Sequence, residues 1–476
     1  MAYKTVIGLE LHCELNTASK VFTPSKNEYT DLANSMVTPG DLAMPGILPV
    51  LNKEALKKSI KMAMCLNCEI PKEVMFDRKN YFYPDLPSSC QITQDTKPIG
   101  INGYIVVNVN GEDKRIGINN IHLEEDTASL DHYFDYSLIN YNRSVVPLIE
   151  IVTEPCIHDA DTAVVFLENL RSIFKYADIS EADTKKGQIR CDVNISLMEE
   201  GSKEFGTRVE IKNINSFSNV HDAIKYEIKR QTELLNAGKH DEIIQETRRY
   251  DDTTGSTISM RKKETEADYR YYIEPNIPVI KLDKEWLDEI RSSIPMLPNE
   301  RRKLYIDKYL LNDYDAGVLV KDKMIADYFE KCVELSIGPK AAANWVSVNI
   351  LGYINKHEID MKDFFLTPDM LKVIIDAINK GDISSKQAKE IFFKVLEDKK
   401  HPKEYISSEN AMLSDEDELN NIIKNILTEY SNQVEQYKSG KDNLFDFFVG
   451  QVMKETRGKA NPVITKKILM SELNKS

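Results

Sequence analysis

The sequence predicts an α+β fold: an antiparallel sheet with a few helices through residue 290, followed by helices alone. Three observations predict it. Gly8 to Leu15 alternates, with Leu9, Leu11, Cys13 and Leu15 on one side and Glu10, His12 and Glu14 on the other. Arg190 to Leu197 repeats the pattern, with Cys191, Val193, Ile195 and Leu197 inward and Arg190, Asp192, Asn194 and Ser196 outward. A period of two is a strand with one buried face, and one-sided strands favour antiparallel pairing. Beyond Pro275 and Pro278 the strand signal ends and the apolar spacing becomes helical.

The elements follow in order. Asn52 caps a helix whose apolar side is Leu56, Ile60, Ala63 and Leu66. Tyr104 to Ile118 reads as a hairpin, because Asn110-Gly111 suits a type I′ turn. Asp159 or Asp161 caps a second helix, with the stripe Ala163, Phe166, Leu167, Leu170, Phe174 and Ala177. Arg208, Glu210 and Lys212 share one face of a further strand, and a third helix covers Val220 to Leu235. Thr367-Pro368 starts a helix that Gly381 stops, and Ser384 or Ser385 caps the next. His401 to Asp417 is polar and loosely patterned, as a linker is. Asn443 to Lys454 places Leu444, Phe447, Phe448 and Val452 at core spacing, with Gly458 to end that helix and Pro462 to prevent its continuation.

A chain of 476 residues exceeds a single core and predicts two to three domains. No run approaches the ~18 apolar residues of a membrane helix, and the start lacks an apolar signal core, so a cytoplasmic protein without membrane contact is expected. Seven scattered cysteines argue against a disulfide framework. A net charge of −14 argues against broad nucleic-acid binding. The end of the chain departs from this: Lys454, Arg457, Lys459, Lys466, Lys467 and Lys475 stand against only Glu455 and Glu472.

The chemistry concentrates in acids with histidine. Glu10 and His12 share one side of a strand, His122-Leu123-Glu124-Glu125-Asp126 follows the hairpin, and Glu150-Ile151-Val152-Thr153-Glu154 presents carboxylates at alternate positions. Oxygen ligands with an imidazole suit a hard divalent ion, magnesium or manganese, more than zinc. Solvated outer strand faces are also acidic, and spacing alone leaves both readings open. No Gly-x-Gly-x-x-Gly opens a helix. Gly201 to Arg208 has the glycine spacing of a P-loop without its lysine and hydroxyl, and reads as a turn. Cys65-Leu66-Asn67-Cys68 has no second pair to complete a zinc site and reads as buried thiols. Phe76 to Asp85 sets two cations among four aromatics, which suits either a nucleotide or RNA end, or a loop packed by its rings.

Together these stretches resemble the GatB family, the B subunits of glutamyl/aspartyl-tRNA amidotransferases. The resemblance rests on Val6 to His12, Phe76 to Asp85, Ile121 to Asp126, Pro147 to Pro155, Arg190-Cys191-Asp192-Val193-Asn194, Val209 to Asn213, Gln245 to Arg248, Asp268 to Tyr271 and Val449 to Lys454, collinear from end to end. It implies a cradle-shaped antiparallel-sheet domain over 1–290, an all-helical domain over 291–405 and a small helical tail over 406–476 that reads tRNA. It implies that ATP phosphorylates the side-chain carboxylate of mischarged Glu-tRNA(Gln) or Asp-tRNA(Asn), and that ammonia from an amidase (A) subunit then displaces the phosphate. A small C subunit joins the two in a heterotrimer. By the same resemblance Glu10, His12, Glu124, Glu125 and Glu150 hold magnesium, with Glu10, His12, Glu125 and Glu150 catalytic. Lys79, Arg190 and Asp192 meet the nucleotide or the aminoacyl end.

The chain departs from the family pattern in places. The cysteine-rich zinc loop of many members is cysteine-free here from Val21 to Ala43, so no zinc is expected. Lys185-Lys186 replaces an acidic pair, Thr127-Ala128-Ser129 replaces Ala-Gly-Lys, and Asn276 stands where aspartate is usual. Two other functions fit parts of the pattern: a non-catalytic tRNA-binding scaffold, for which intact Glu10, His12 and Glu125 would serve no purpose, and a metal-dependent hydrolase acting alone.

Overall fold

The computed structural model describes residues 3–212, 214, 216–262, 269–406, 416–439, 441, 444–456 and 460–474. The chain divides into two compact units, Met1–Arg301 and Arg302–Ser476.

The first unit runs β1 (Tyr3–Glu14), α1 (Lys53–Cys65), β2 (Glu73–Val74), β3 (Asp77–Asn80), β4 (Cys90–Thr93), β5 (Gly100–Val109), β6 (Glu112–Glu125), β7 (Ser129–His132), β8 (Ser137–Asn140), β9 (Pro147–Thr153), α2 (Ala160–Tyr176), β10 (Ile189–Glu199), β11 (Val209–Lys212), α3 (Phe217–Asn236), β12 (Glu246–Asp251), β13 (Ser256–Lys262), β14 (Tyr272–Ile273), β15 (Ile280–Lys281) and α4 (Lys284–Ser292). Eight strands form one sheet in the order β13-β12-β11-β10-β1-β9-β6-β5. Every pair in it is antiparallel except β11 and β12, which the crossover helix α3 joins in parallel.

One face of the sheet is apolar because the inward half of each alternating strand is apolar. Leu9, Leu11, Cys191, Val193, Ile195 and Ile151 join Phe166, Leu167, Leu170 and Phe174 of α2 and Val220 and Ile224 of α3 in a single core. Burying one such side chain contributes roughly 1.5–3 kcal/mol, so the register of the sheet is strongly held. The predicted caps are present: Asn52 accepts from the Glu54 and Ala55 amides, and Asp159 from Thr162. Asn110 and Gly111 both have positive φ (+53° and +87°), as a type I′ hairpin requires. The hairpin's second strand does not stop at Ile118. It pairs with β5 on one side and with β9 on the other as far as Glu125, so the acidic cluster lies on the strand itself rather than after it.

The second unit is helical: α5 (Pro298–Asp307, which carries the division), α6 (Asp313–Leu319), α7 (Lys323–Glu334), α8 (Pro339–Asn344), α9 (Leu351–His357), α10 (Pro368–Lys380), α11 (Ser385–Asp398), α12 (Glu416–Glu429), α13 (Ser431–Lys438), α14 (Leu444–Glu455) and α15 (Pro462–Leu473). It holds two apolar clusters, one drawn from Tyr305 to Leu396 and one from Leu419 to Leu473. Thr367 caps α10, Gly381 ends it at φ +81°, and Ser384 and Gln387 form a capping box on α11. In the tail Phe448 and Val452 are buried, and Pro462 opens a new helix capped by Asn461. Gly458, Arg457, Lys459 and Lys475 lie outside the described residues. No described helix is long and apolar enough to cross a membrane.

Candidate functional site

The polar face of the sheet carries the candidate chemistry, and strand register decides which groups meet. His12 on β1 stands opposite Glu150 on β9, which stands opposite His122 on β6. Adjacent strands lie about 4.8 Å apart, so the three side chains form a row. Glu150 Oε2 lies 3.4 Å from His12 Nε2 and 3.1 Å from His122 Nε2. Glu124, two residues beyond His122 on the same face, lies 4.0 Å from His12 and 3.8 Å from His122. Donor atoms of His12, Glu124 and Glu150 all fall within 4.8 Å of one another.

Beside this group is a second one. Glu10 faces Asp192 across β1 and β10, and Glu210 on β11 completes a set whose donor atoms again lie within 4.8 Å. Asn194 donates to Glu10 at 2.8 Å. Lys212 bridges Asp192 at 2.9 Å and Glu210 at 3.0 Å.

The electrostatics match the crowding. Burial disfavours the His12 imidazolium, but the Glu150 hydrogen bond and charge, with Glu124 and Asp192, outweigh it and raise its pKa to about 9. His122 is raised by the same two glutamates against the same burial penalty. Burial pushes Glu150 upward, and the two imidazoles reverse this and hold it well below the usual carboxylate range. Glu124 is pushed up by burial and by Glu150, and so is Glu10. A proton shared among buried acids and imidazoles marks a place that a cation can take. Two carboxylates with an imidazole fit a hard divalent ion, which Glu124, Glu150 and His12 would hold.

Cations surround the groups. A cavity of about 500 Å³ is lined by His12, Glu124, Glu150 and Asp192 together with Lys79, Arg143, Arg190 and Lys212. Arg190 and Arg143 both grip the buried Asp126, at 2.8 and 3.0 Å. Lys79 lies over the Tyr269 ring at 4.9 Å and lines the same cavity as the glutamates. Of the residues that the sequence singles out, His12, Glu124, Glu150, Lys79, Arg190 and Asp192 line this cavity, and Glu10 adjoins it in the second group.

Glu125 differs. As the neighbour of Glu124 in a strand it must face the other way, and its Oε1 accepts the Ile92 amide at 2.8 Å. Burial raises its pKa to about 8. It lines a separate cavity of about 200 Å³ with Asp41, Arg78, Cys90, Glu274 and Asn276. The structure thus corrects the convergence of Glu125 with Glu10 and His12.

Sequence reasoning missed His122, Glu210 and Lys212 as members of the site. His122 is two residues from Glu124, so the period-two rule carries it. Glu210 and Lys212 share a face in the sequence, but only the pairing of β11 with β10 brings them to Glu10 and Asp192. Cys65 and Cys68 are pushed up to about 12 by burial, as inert thiols are. Of the departures from the family pattern, Asn276 hydrogen-bonds Glu274 at 2.7 Å and Thr127 lines the larger cavity.

Comparison with known proteins covers the whole chain. Residues 5–288 match the family model described as the GatB/GatE catalytic domain, and residues 327–473 match the one described as the GatB domain. The chain is 46% identical over 477 residues to the B subunit of the aspartyl/glutamyl-tRNA(Asn/Gln) amidotransferase of Geobacillus thermodenitrificans, covering 100% of both chains. It is 46% identical over 475 residues to the same protein of Persephonella marina, covering 99% of this chain and 100% of the relative. It is 45% identical over 477 residues to that of Halalkalibacterium halodurans, covering 100% of both.

Proposed function

The chain belongs to the GatB family, and from that premise we propose that it is the subunit that activates the side-chain carboxylate of mischarged Glu-tRNA(Gln) or Asp-tRNA(Asn) with ATP, and hands it to ammonia. The observation that carries this reading is the pairing of two acidic donor groups with Lys79, Arg143, Arg190 and Lys212 around one sheet face. A carboxylate resists amines until its oxygen becomes a leaving group. Transfer of the γ-phosphoryl forms a bond from phosphorus to the carboxylate oxygen as the bond to ADP breaks. Ammonia then forms the C–N bond, phosphate leaves, and the amine's surplus proton goes to solvent or a nearby base.

Two anions must meet for the first step. Glu124, Glu150 and His12 would hold magnesium, which would supply charge neutralisation for that approach. Lys79 stands free of a carboxylate salt bridge among the described residues and can meet an incoming phosphate or carboxylate directly. Arg190 and Arg143, locked on Asp126, offer fixed donors that do not have to reorganise during reaction. The amidase and C subunits of the family heterotrimer are the expected partners, with the cytoplasm as the place of work.

The test is reconstitution. With amidase and C subunits, glutamine, ATP and Glu-tRNA(Gln) or Asp-tRNA(Asn), the full chain yields amidated aminoacyl-tRNA with stoichiometric ATP consumption. Binding of tRNA with no ATP consumed would make the chain a scaffold. ATP or tRNA hydrolysis independent of an ammonia source would make it a lone hydrolase. The basic tail has its own test. Truncation after residue 405 is expected to weaken tRNA binding and flatten its salt dependence, since phosphate contacts carry that dependence. Unchanged tRNA affinity would make the tail an assembly element.

A further inference from the structure

Glu14 ends β1, two residues past His12. The strand fixes it there: its amide donates to the Gln188 carbonyl at 2.8 Å, and Leu148 of β9 stands opposite. Its side chain lines a cavity of about 280 Å³ with Asn27, Tyr29, Asn140, Lys186 and Gln188. This cavity is distinct from the one around the donor groups, and Ser129 and Arg143 line both.

The half-buried Glu14 carboxylate has no hydrogen bond or ion pair among the described residues. The cations near it are engaged elsewhere. Arg143 and Arg190 act on it by charge, but they grip Asp126 at 3.0 and 2.8 Å. Lys186 is exposed and stands over the Tyr29 ring at 5.8 Å. The other acid in the lining, Glu28, is paired with Lys26 at 3.7 Å. Asn27 donates through Nδ2 to the Leu15 carbonyl at 2.8 Å, and its Oδ1 is an acceptor with no donor among the described residues. A carboxylate and an amide oxygen that both lack donors suit a small cation with several N–H groups.

We propose that Glu14 receives the α-ammonium of the aminoacyl group esterified to the tRNA, so that this cavity reads a free amino group while the side-chain carboxylate reaches the donor row. The proposal rests on the tRNA-dependent reading above and adds a specificity contact to it. A glutamyl ester carries one cation. Four bonds separate that nitrogen from the side-chain carboxyl carbon, about 5 Å when extended with bonds near 1.5 Å. Glu14 and His12 are two residues apart on one side of a strand, about 6.6 Å at ~3.3 Å per residue. The two ends of the glutamyl group therefore match the two places. An aspartyl group is one carbon shorter, about 1 Å, which rotation of the Glu14 side chain makes up. ATP has no cationic group, so this contact belongs to the acyl substrate and not to the nucleotide.

The test uses the full chain in its complex with amidase and C subunits, glutamine, ATP and magnesium. tRNA(Gln) esterified with glutamate is compared with tRNA(Gln) esterified with 2-hydroxyglutarate, in which a hydroxyl of similar size replaces the α-ammonium. Wild type is expected to amidate the hydroxy ester with kcat/KM about ten-fold or more below that of the amino ester, the order of one hydrogen bond to a charged group. Glu14→Gln should bring the two esters within about two-fold by lowering kcat/KM for the amino ester alone. Glu14→Asp, which keeps the charge, should restore part of the preference. Equal use of both esters by wild type overturns the contact without need of a variant, and the amidation reading stands. Equal losses on both esters in Glu14→Gln also overturn it and make the residue a support for Arg143 and Arg190. If wild type amidates neither ester, the amidation reading falls with the proposal.

Discussion

Two carboxylate-rich cavities lie on opposite faces of β6, and they treat their acids differently. In the smaller one the fold supplies each acid with donors. Glu125 accepts the Ile92 amide. Glu274 is bonded by Arg78 and Asn276. Asp41 accepts from Thr23, Ser25 and the Thr38 amide and pairs with the fully buried Lys20 at 3.5 Å. In the larger cavity Glu124 accepts from the Thr93 hydroxyl at 3.1 Å, and Glu124 and Glu150 crowd each other and two imidazoles. Acid content alone does not distinguish a ligand site from a structural one. What distinguishes them is whether the fold has already spent the lone pairs, because a buried carboxylate without enough donors needs a proton or a cation.

The largest expected effect lies in the donor-poor cavity. Glu150→Ala removes the acid that both imidazoles share. Divalent-ion affinity and amidation rate should each fall by about a thousand-fold or more, about 4 kcal/mol. Calorimetric titration of magnesium or manganese into the complex checks the first and single-turnover amidation the second. A variant that keeps more than about a tenth of either, a change under ~1.4 kcal/mol, would show that the row is only a solvated strand face.

In the donor-rich cavity the expected loss is of stability. Asp41→Ala leaves the Lys20 ammonium buried without its partner, a change that typically costs about 3–5 kcal/mol. For a unit of this size that lowers the first thermal transition by about 10 °C, with divalent affinity unaltered. The surrounding segment from Val21 to Ala43 offers hydroxyls and the carboxylates of Glu28, Asp31 and Asp41, but no thiolate or imidazole. Elemental analysis is expected to find no stoichiometric zinc, and finding it would give Asp41 a ligand's role.

How far the sequence reaches can be seen on individual residues. Local rules carried the alternation of β1 and β10, the caps Asn52, Asp159, Thr367 and Ser384, and the Asn110-Gly111 turn, because each depends on residues close in sequence. The neighbours of β1 were beyond those rules. That β10 and β9 flank it, and so bring Asp192 to Glu10 and Glu150 to His12, is a matter of non-local pairing. The same applies to Glu210, which reaches Glu10 only through β11 and β10. Glu124 and Glu125 are a different case. Consecutive strand residues point to opposite faces, so the pair could not both hold one ion, and His122 had to accompany Glu124. That inference needed only the recognition that β6 continues past an irregularity between Ile118 and Asn120 to Glu125, which the hairpin reading ended too early.

The smallest expected effect is the sharpest test of the two-faced strand. Glu124→Gln keeps the shape of the side chain but replaces an anionic oxygen with an amide in the row proposed to hold the ion. Divalent affinity should drop about ten- to a hundred-fold, the order expected when a metal site loses part of its ligand charge. Glu125→Gln should leave it within about two-fold. Its amide oxygen can still accept the Ile92 N–H, and its side chain points away from His12 and Glu150. Both substitutions are conservative, lie one residue apart and sit on the same strand, so a general disturbance of β6 would move them together. Titration of manganese into each variant separates the cases. Equal losses in the two would mean that the carboxylates act on the ion through the strand and not from one face of it. A loss confined to Glu125→Gln would reverse the assignment of the faces and put the ion in the smaller cavity with Asp41 and Glu274.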